Sequence, residues 1–442
     1  MAVFTRDKAV LISFLTGGHF MTHVLIAAYP ALALLVAEEL DFTSKTQILS
    51  LITFTGIIYG TGSLLTGYLS DRRDPLAMVT IGLIVSTAAA FGIAASVNYW
   101  MLLLFFGLLG AGLSFYHPAG LSLISKVFGA KHRGKALGIN GLGGDIGLVV
   151  SPVITAAIAT QLGWRFAYVI WGLVGLVFVV YAVVLFGTKV LRAEANGGGA
   201  SGDAAAPSNG RARMRGRLDM AAMEVEERVG PTSKAEYWKG MRLLLTSAVM
   251  IVITITIFRG LLFHGMTEPL PTYLAQEKGL ADDQDAAVLI AGTLTSLMYL
   301  VGAFAEPIGG WVKDRYSAKA PLVVTNIICA LAAVMLLSVD SITLVTVAML
   351  VFGFSFFMSM AVINALVADV TPPEVRGTFY GVSFFTRDGI GFLAPFLVGV
   401  LADATGTFST AYWMVAIFGL LTAADAMFLR QEKRASPAAA GK

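Results

Sequence analysis

Gly67-Tyr-Leu-Ser-Asp71-Arg72 returns 243 residues later as Gly310-Trp-Val-Lys-Asp314-Arg315. The same offset carries Arg133-Gly134 onto Arg376-Gly377, Gly138 onto Gly381, Asp145 onto Asp388 and Pro152 onto Pro395. One coincidence of this kind would mean little, but a constant offset held over many positions marks an internal duplication. Near the start of each copy the offset slips to 241, so that His23 and Pro30 correspond to His264 and Pro271.

What is duplicated is set by composition. Of 442 residues, 57% are hydrophobic and 13% charged, against roughly 25% charged in a soluble domain. So much apolar surface has no water-compatible arrangement, whereas a helix in a bilayer satisfies its own backbone hydrogen bonds. The apolar segments are too long for buried strands and lack the alternation of a membrane barrel. The first of them, Val10 to Val36, exceeds a signal-peptide core and reads as a permanent span. At roughly 20 residues per span, helices are expected near 9–37, 46–70, 75–96, 99–128, 134–162 and 165–187, then 243–276, 286–313, 320–338, 341–370, 376–404 and 408–430.

Most of the 31 Lys and Arg residues fall in loops on the side that holds the N-terminus; the opposite side has Lys45, Arg165 and Lys278. The positive-inside rule therefore expects both termini and the central loop in the cytoplasm. The net charge of +3 averages two unlike surfaces and does not call for a nucleic-acid partner. Expected divisions are a bundle over 1–188, a partly disordered linker over 189–242, a second bundle over 243–431 and a tail over 432–442. The linker is rich in Gly, Ala and Ser and then in Arg from Arg211 to Arg217, a composition suited to a solvated segment or to anionic lipid headgroups. Met220 to Val229 has the pattern of a short surface helix. Cys329, alone, permits no intramolecular disulfide, and no cofactor is expected.

Gly67-x-x-x-Asp71-Arg72-Arg73 and its copy resemble the cytoplasmic signature of the major facilitator superfamily, with Asp74-Pro75 standing where the family usually continues with Gly and basic residues. The resemblance implies an all-α membrane protein of twelve transmembrane helices, in two six-helix bundles related by a parallel pseudo-twofold repeat. Within the superfamily, the segment from Gly107 to Ser125, above all Tyr116-His117-Pro118, resembles the fosmidomycin-resistance type of efflux proteins. The glycines of 138–147 followed by Ser151-Pro152 loosely resemble the superfamily's antiporter signature, in which the pair is Gly-Pro.

Gates are expected at Asp71, Arg72, Arg133, Asp314, Arg315 and Arg376, where carboxylates at helix ends can accept charge-assisted bonds; the bland alternative is a static topology anchor. Charge at membrane depth costs at least ~2.5–3.5 kcal/mol unless paired or hydrated, which singles out Asp145, Arg259, Glu306, Arg387 and Asp388. Successive helical residues point about 100° apart, so Arg387 and Asp388 cannot both project straight into the cavity, and one arrangement pairs Arg387 with Asp145 of the other half. His19 and His23 share one helical face, as do His264 and Glu268, and histidine suits proton transfer or anion binding. His-x-x-x-His also raises a metal, but no third ligand has telling spacing, and none is expected. Tyr116 and His117 are the best polar cavity residues, beside Pro118, which kinks the helix and frees a carbonyl. Asp369 and Asp425 lie nearer helix ends and are expected to be solvated.

The functional expectation is a secondary transporter, not an enzyme, exporting a small organic, anionic or drug-like compound against protons. It works as a monomer in contact with membrane lipids, in a bacterial inner membrane. Alternatives are a proton-coupled importer of an organic anion and a membrane sensor or scaffold that no longer transports. No Gly-x-x-x-x-Gly-Lys-Ser/Thr sequence occurs, which excludes a P-loop pump.

Overall fold

The computed structural model describes residues 6–70, 72–128, 130–195, 242, 246–370 and 381–429. The helices are α1 (Arg6–Glu39), α2 (Lys45–Ser70), α3 (Pro75–Ala94), α4 (Tyr99–Leu113), α5 (Tyr116–Val127), α6 (Ala130–Leu162) and α7 (Trp164–Ala195). They continue with α8 (Ser247–Thr267), α9 (Leu270–Glu277), α10 (Gln284–Arg315), α11 (Lys319–Ser338) and α12 (Ile342–Val370). A π-helical turn at Phe385–Gly389 precedes α13 (Leu393–Thr405) and α14 (Phe408–Ala426). Together they make twelve segments long and apolar enough to cross a membrane. Trp100, Leu104, Val177, Phe304 and Phe428 are each about two-thirds exposed or more, a surface suited to lipid tails and costly in water.

The helix starts are written locally. Asp74 caps α3 by accepting from the Leu76 amide, with Pro75 at the first helical position, so the departure from the family motif is a helix start. Asn98 caps α4 through the Met101 amide, and Asp283 caps α10 through that of Ala286. Gly406, at φ 80°, ends α13 in the left-handed region that glycine alone enters freely.

Among the described residues three spans are not continuous α-helices, the eleventh being interrupted by the π turn and residues 390–392. The fourth breaks at Ser114–Phe115 between α4 and α5, and the seventh at Glu268–Pro269 between α8 and α9. Pro118 has no amide to offer the Ser114 carbonyl, which instead accepts from the Thr66 hydroxyl at 2.7 Å. The carbonyl freed by the kink is thus satisfied by a neighbouring helix.

The chain divides into two compact units. The first comprises Met1–Phe42, Phe54–Gly230 and Arg376–Phe385, and the second Thr43–Thr53, Pro231–Val375 and Thr386–Lys442. In the first, α1 packs chiefly on α6, while α3 packs on α4 and α7. In the second, α11 packs on α12 and α14, which is the same pairing carried forward to the second copy. The duplication persists at atomic contacts. A Cβ on Gly110 would overlap the Thr55 carbonyl, and one on Gly353 that of Met298, with both partners shifted by 243 residues. Without water to drive helices together, such close backbone approach through small residues is what holds them.

Candidate functional site

Within the first unit, α1 and α6 meet along a glycine seam. A Cβ on Gly143 would overlap the Thr16 carbonyl, one on Gly147 would lie 2.6 Å from that of Phe20, and one on Gly144 would lie 2.7 Å from His19 Cε1. Close packing, rather than a nucleotide loop, is what these glycines provide. The seam sets His19 against α6, where its Nδ1 stands 2.7 Å from the Asn140 carbonyl.

Around His19 the structure gathers most of the polar residues expected in this half. Tyr116 stacks on it with ring centroids 5.1 Å apart, and the Tyr116 hydroxyl reaches the Leu15 carbonyl and the Asn140 side chain, 2.6 Å from Oδ1. His23 and His117 meet His19 edge-on, at 4.7 and 4.9 Å between centroids. His117 also stacks on Phe384, at 4.7 Å. Sequence spacing offered no third partner for His19 and His23, and the structure brings His117 beside them. The break before α5 turns His117 toward them, an approach that sequence spacing cannot register. Asn140, uncharged and set among glycines, carries no signal in the sequence, although it touches both His19 and Tyr116.

The second unit holds an ionic chain, buried at Asp388, His264 and Glu268 and half-buried at Arg387. Arg387 donates to Asp388 through Nε and Nη2, at 2.9 and 2.7 Å. Asp388 Oδ1 faces His264 Nε2 at 3.2 Å, and His264 Nδ1 faces Glu268 Oε1 at 3.1 Å. His264 also stacks on Phe392 with centroids 3.6 Å apart. Although successive residues of an α-helix point apart, Arg387 turns onto its own neighbour Asp388. They lie in the π turn, whose wider step removes the 100° spacing of an α-helix and lets the guanidinium fold back onto its neighbour. Gly260 makes room for this turn, since a Cβ there would overlap the Arg387 carbonyl.

Arg259 is 1% exposed. Its guanidinium donates to Ser359 Oγ at 2.6 Å, Asn326 Oδ1 at 3.2 Å and the Phe356 carbonyl at 3.3 Å, and lies over the Phe356 ring. Asn326 and Ser359 give it uncharged acceptors only.

Other expected residues are distributed more widely. Asp145 is half-buried on α6, and Glu306 is half-buried on α10. Arg72 lies over the Tyr68 ring and Arg315 over that of Trp311, a repeated pairing at helix ends. Arg133 is in the first turns of α6 and Asp314 in the last turn of α10. Asp71, Arg376, the surface helix expected at Met220 to Val229 and nearly all of the linker lie outside the described residues. Asp425 is not merely solvated, because the Thr254 hydroxyl donates to it. At the opposite end from Asp314, Asp403 accepts from the Lys45 and Thr46 amides at 2.8 and 2.9 Å and from the Thr46 hydroxyl at 2.6 Å.

Known proteins resemble this arrangement over nearly its whole length. A hexuronate transporter of Bacillus subtilis is 22% identical, covering 95% of this chain and 94% of its own. A probable L-galactonate transporter of Escherichia coli is 24% identical, covering 89% and 82%. Among solved structures, a bacterial homologue of the human lysosomal transporter Spinster, inward-facing and unoccupied, superposes with a TM-score of 0.69 at 14% identity, covering 96% and 97%. A sequence profile described as Major Facilitator Superfamily matches residues 10–395. With twelve apolar helices, duplicated loop motifs and that match, the chain belongs to the Major Facilitator Superfamily of membrane transporters.

Proposed function

We propose that this protein is a proton-coupled secondary transporter of small organic anions, working by alternating access and exporting its substrate by antiport. The observation that carries the reading is the ionic chain Arg387–Asp388–His264–Glu268. A neutral imidazole has one N–H, yet both ring nitrogens of His264 face carboxylate oxygens. Both contacts are hydrogen bonds only if His264 is an imidazolium or if one carboxyl holds a proton. Removing that proton sets lone pair against lone pair in a buried site, a cost that a change of helix packing would relieve. Proton occupancy and conformation are thereby coupled.

Arg259 supplies the anion preference, as a buried cation whose described acceptors are all uncharged. The relatives named for hexuronate and L-galactonate, both sugar acids, agree with a carboxylate substrate. They also favour a second reading, import of the same class of anion with protons, since sugar acids are more readily nutrients than toxins. The likeness around Tyr116-His117-Pro118 to fosmidomycin-resistance proteins favours export. We take 1–188 and 243–431 as the two bundles, 189–242 as a cytoplasmic linker, both termini as cytoplasmic, and the paired Asp-Arg loops as the cytoplasmic gates.

Reconstitution in liposomes tests the proposal. Under an imposed pH gradient, a sugar acid moving against the proton flow supports antiport, and movement with it supports symport. Flux that is indifferent to the gradient would overturn proton coupling.

A further inference from the structure

His19, His23 and His117 place one ligating nitrogen each within 4.8 Å of the others. We propose that they form a binding site for a divalent transition metal of the Zn2+ class, with one coordination position left for the carboxylate of a transported anion. The second part rests on the function proposed above; the first does not.

The ring geometry carries the argument. Metal–nitrogen bonds of ~2.0–2.1 Å in tetrahedral array put imidazole centroids about 5 Å apart. The centroids here stand 4.7, 4.9 and 5.5 Å apart. The three planes are also nearly perpendicular in pairs, at 76°, 89° and 82°, so the rings do not stack and can aim at one point. Small side-chain rotations would close the nitrogens to bonding distance.

His19 is already oriented as a ligand. The Asn140 carbonyl can only accept, so the proton on His19 sits at Nδ1 and Nε2 presents a lone pair. That Nε2 is buried and has no hydrogen-bond partner among the described residues. Metal-bound histidine usually has one ring nitrogen fixed by a carbonyl or carboxylate and the other open to the ion, as here. Gly144 enforces the position, because any side chain there would collide with the ring.

Ligand chemistry selects the metal. Three imidazoles with no carboxylate or thiolate suit zinc and its neighbours rather than magnesium or calcium. Three neutral ligands also leave the ion's charge uncompensated in a low-dielectric setting, where an anion is the natural fourth ligand.

Purified protein carrying an affinity tag without histidine, loaded with Co2+ alone, tests the site. The visible absorption bands of tetrahedral Co2+, displaced by one equivalent of Zn2+ per chain, are the expected result. His117→Gln and His19→Gln should each weaken binding by more than the ~10–100-fold that loss of a ligand's orienting partner costs, while His132→Gln, in the first turn of α6 and outside the cluster, leaves it unchanged. Absence of tetrahedral bands in the wild-type protein, or equal affinity in the His117→Gln variant, would overturn the metal site. Adding glucuronate to the Co2+ form should shift the bands; an unshifted spectrum removes the carboxylate bridge. Neither result depends on flux, so failure of the metal site and failure of the transport reading are separately visible.

Discussion

The Arg259 guanidinium donates to Ser359 at 2.6 Å, at register positions that Gly18 and Tyr116 hold in the first copy. There a Cβ on Gly18 would lie 2.9 Å from the Tyr116 ring. Bulk has changed sides between copies, with a large residue on the fourth span in one and on the seventh in the other. The 241 offset, not 243, is therefore the register of the seventh span. Replacing Arg259 by Lys keeps a charge but loses the planar fork that reaches Ser359, Asn326 and Phe356 together. Anion KM should rise at least ~10-fold, and thermal unfolding should come earlier by the equivalent of about 1–3 kcal/mol for unsatisfied partners. Unchanged KM for a sugar acid would remove Arg259 from substrate recognition.

Glu268→Gln fixes an N–H or a carbonyl toward His264 and cannot exchange the proton. Proton-driven accumulation should fall to background while substrate exchange across unenergised liposomes persists. Loss of both would mark Glu268 as structural.

Asp145→Asn should likewise abolish proton-coupled flux without altering the unfolding temperature, since the residue is half-buried on α6. Retained coupling, read from internal pH during uptake, would take Asp145 out of the mechanism.

Gly110→Ala and Gly353→Ala offer a matched pair, because each glycine abuts a backbone carbonyl at the equivalent place. Each should destabilise by about 1–3 kcal/mol, the usual cost of overpacking. Both should shift thermal unfolding in detergent to a similar degree; a neutral result at either site would contradict the close approach.

Asp403→Asn weakens a charged cap on the Lys45 and Thr46 amides. About 1 kcal/mol is at stake, and the variant should label faster at a cysteine introduced at position 45.

Twelve spans and the duplication were legible because hydropathy and a constant offset need no angular precision. The break before α5 was half legible, through Pro118; its partner Thr66 was not, since an ordinary threonine carries no signal of what it bonds. Arg387 and Asp388 were legible as residues but their mutual bond was not, because a π turn changes direction by an amount that no residue pattern encodes. The place of Asp425 near a helix end suggests solvation alone and carries no sign that Thr254 reaches it. The neighbours of His117 in sequence mark it as a polar cavity residue, but its meeting with His19 depends on folding.

The exchange of bulk between Gly18–Tyr116 and Arg259–Ser359 also constrains history. Growing an arginine at Gly18 while Tyr116 stood in place would force atoms together, so one copy could not have become like the other by that step first. The permissible order shrinks the aromatic before enlarging the facing residue. On that route the intermediate carries a void costing ~2–5 kcal/mol, so a direct exchange of the two arrangements would need a protein with stability to spare.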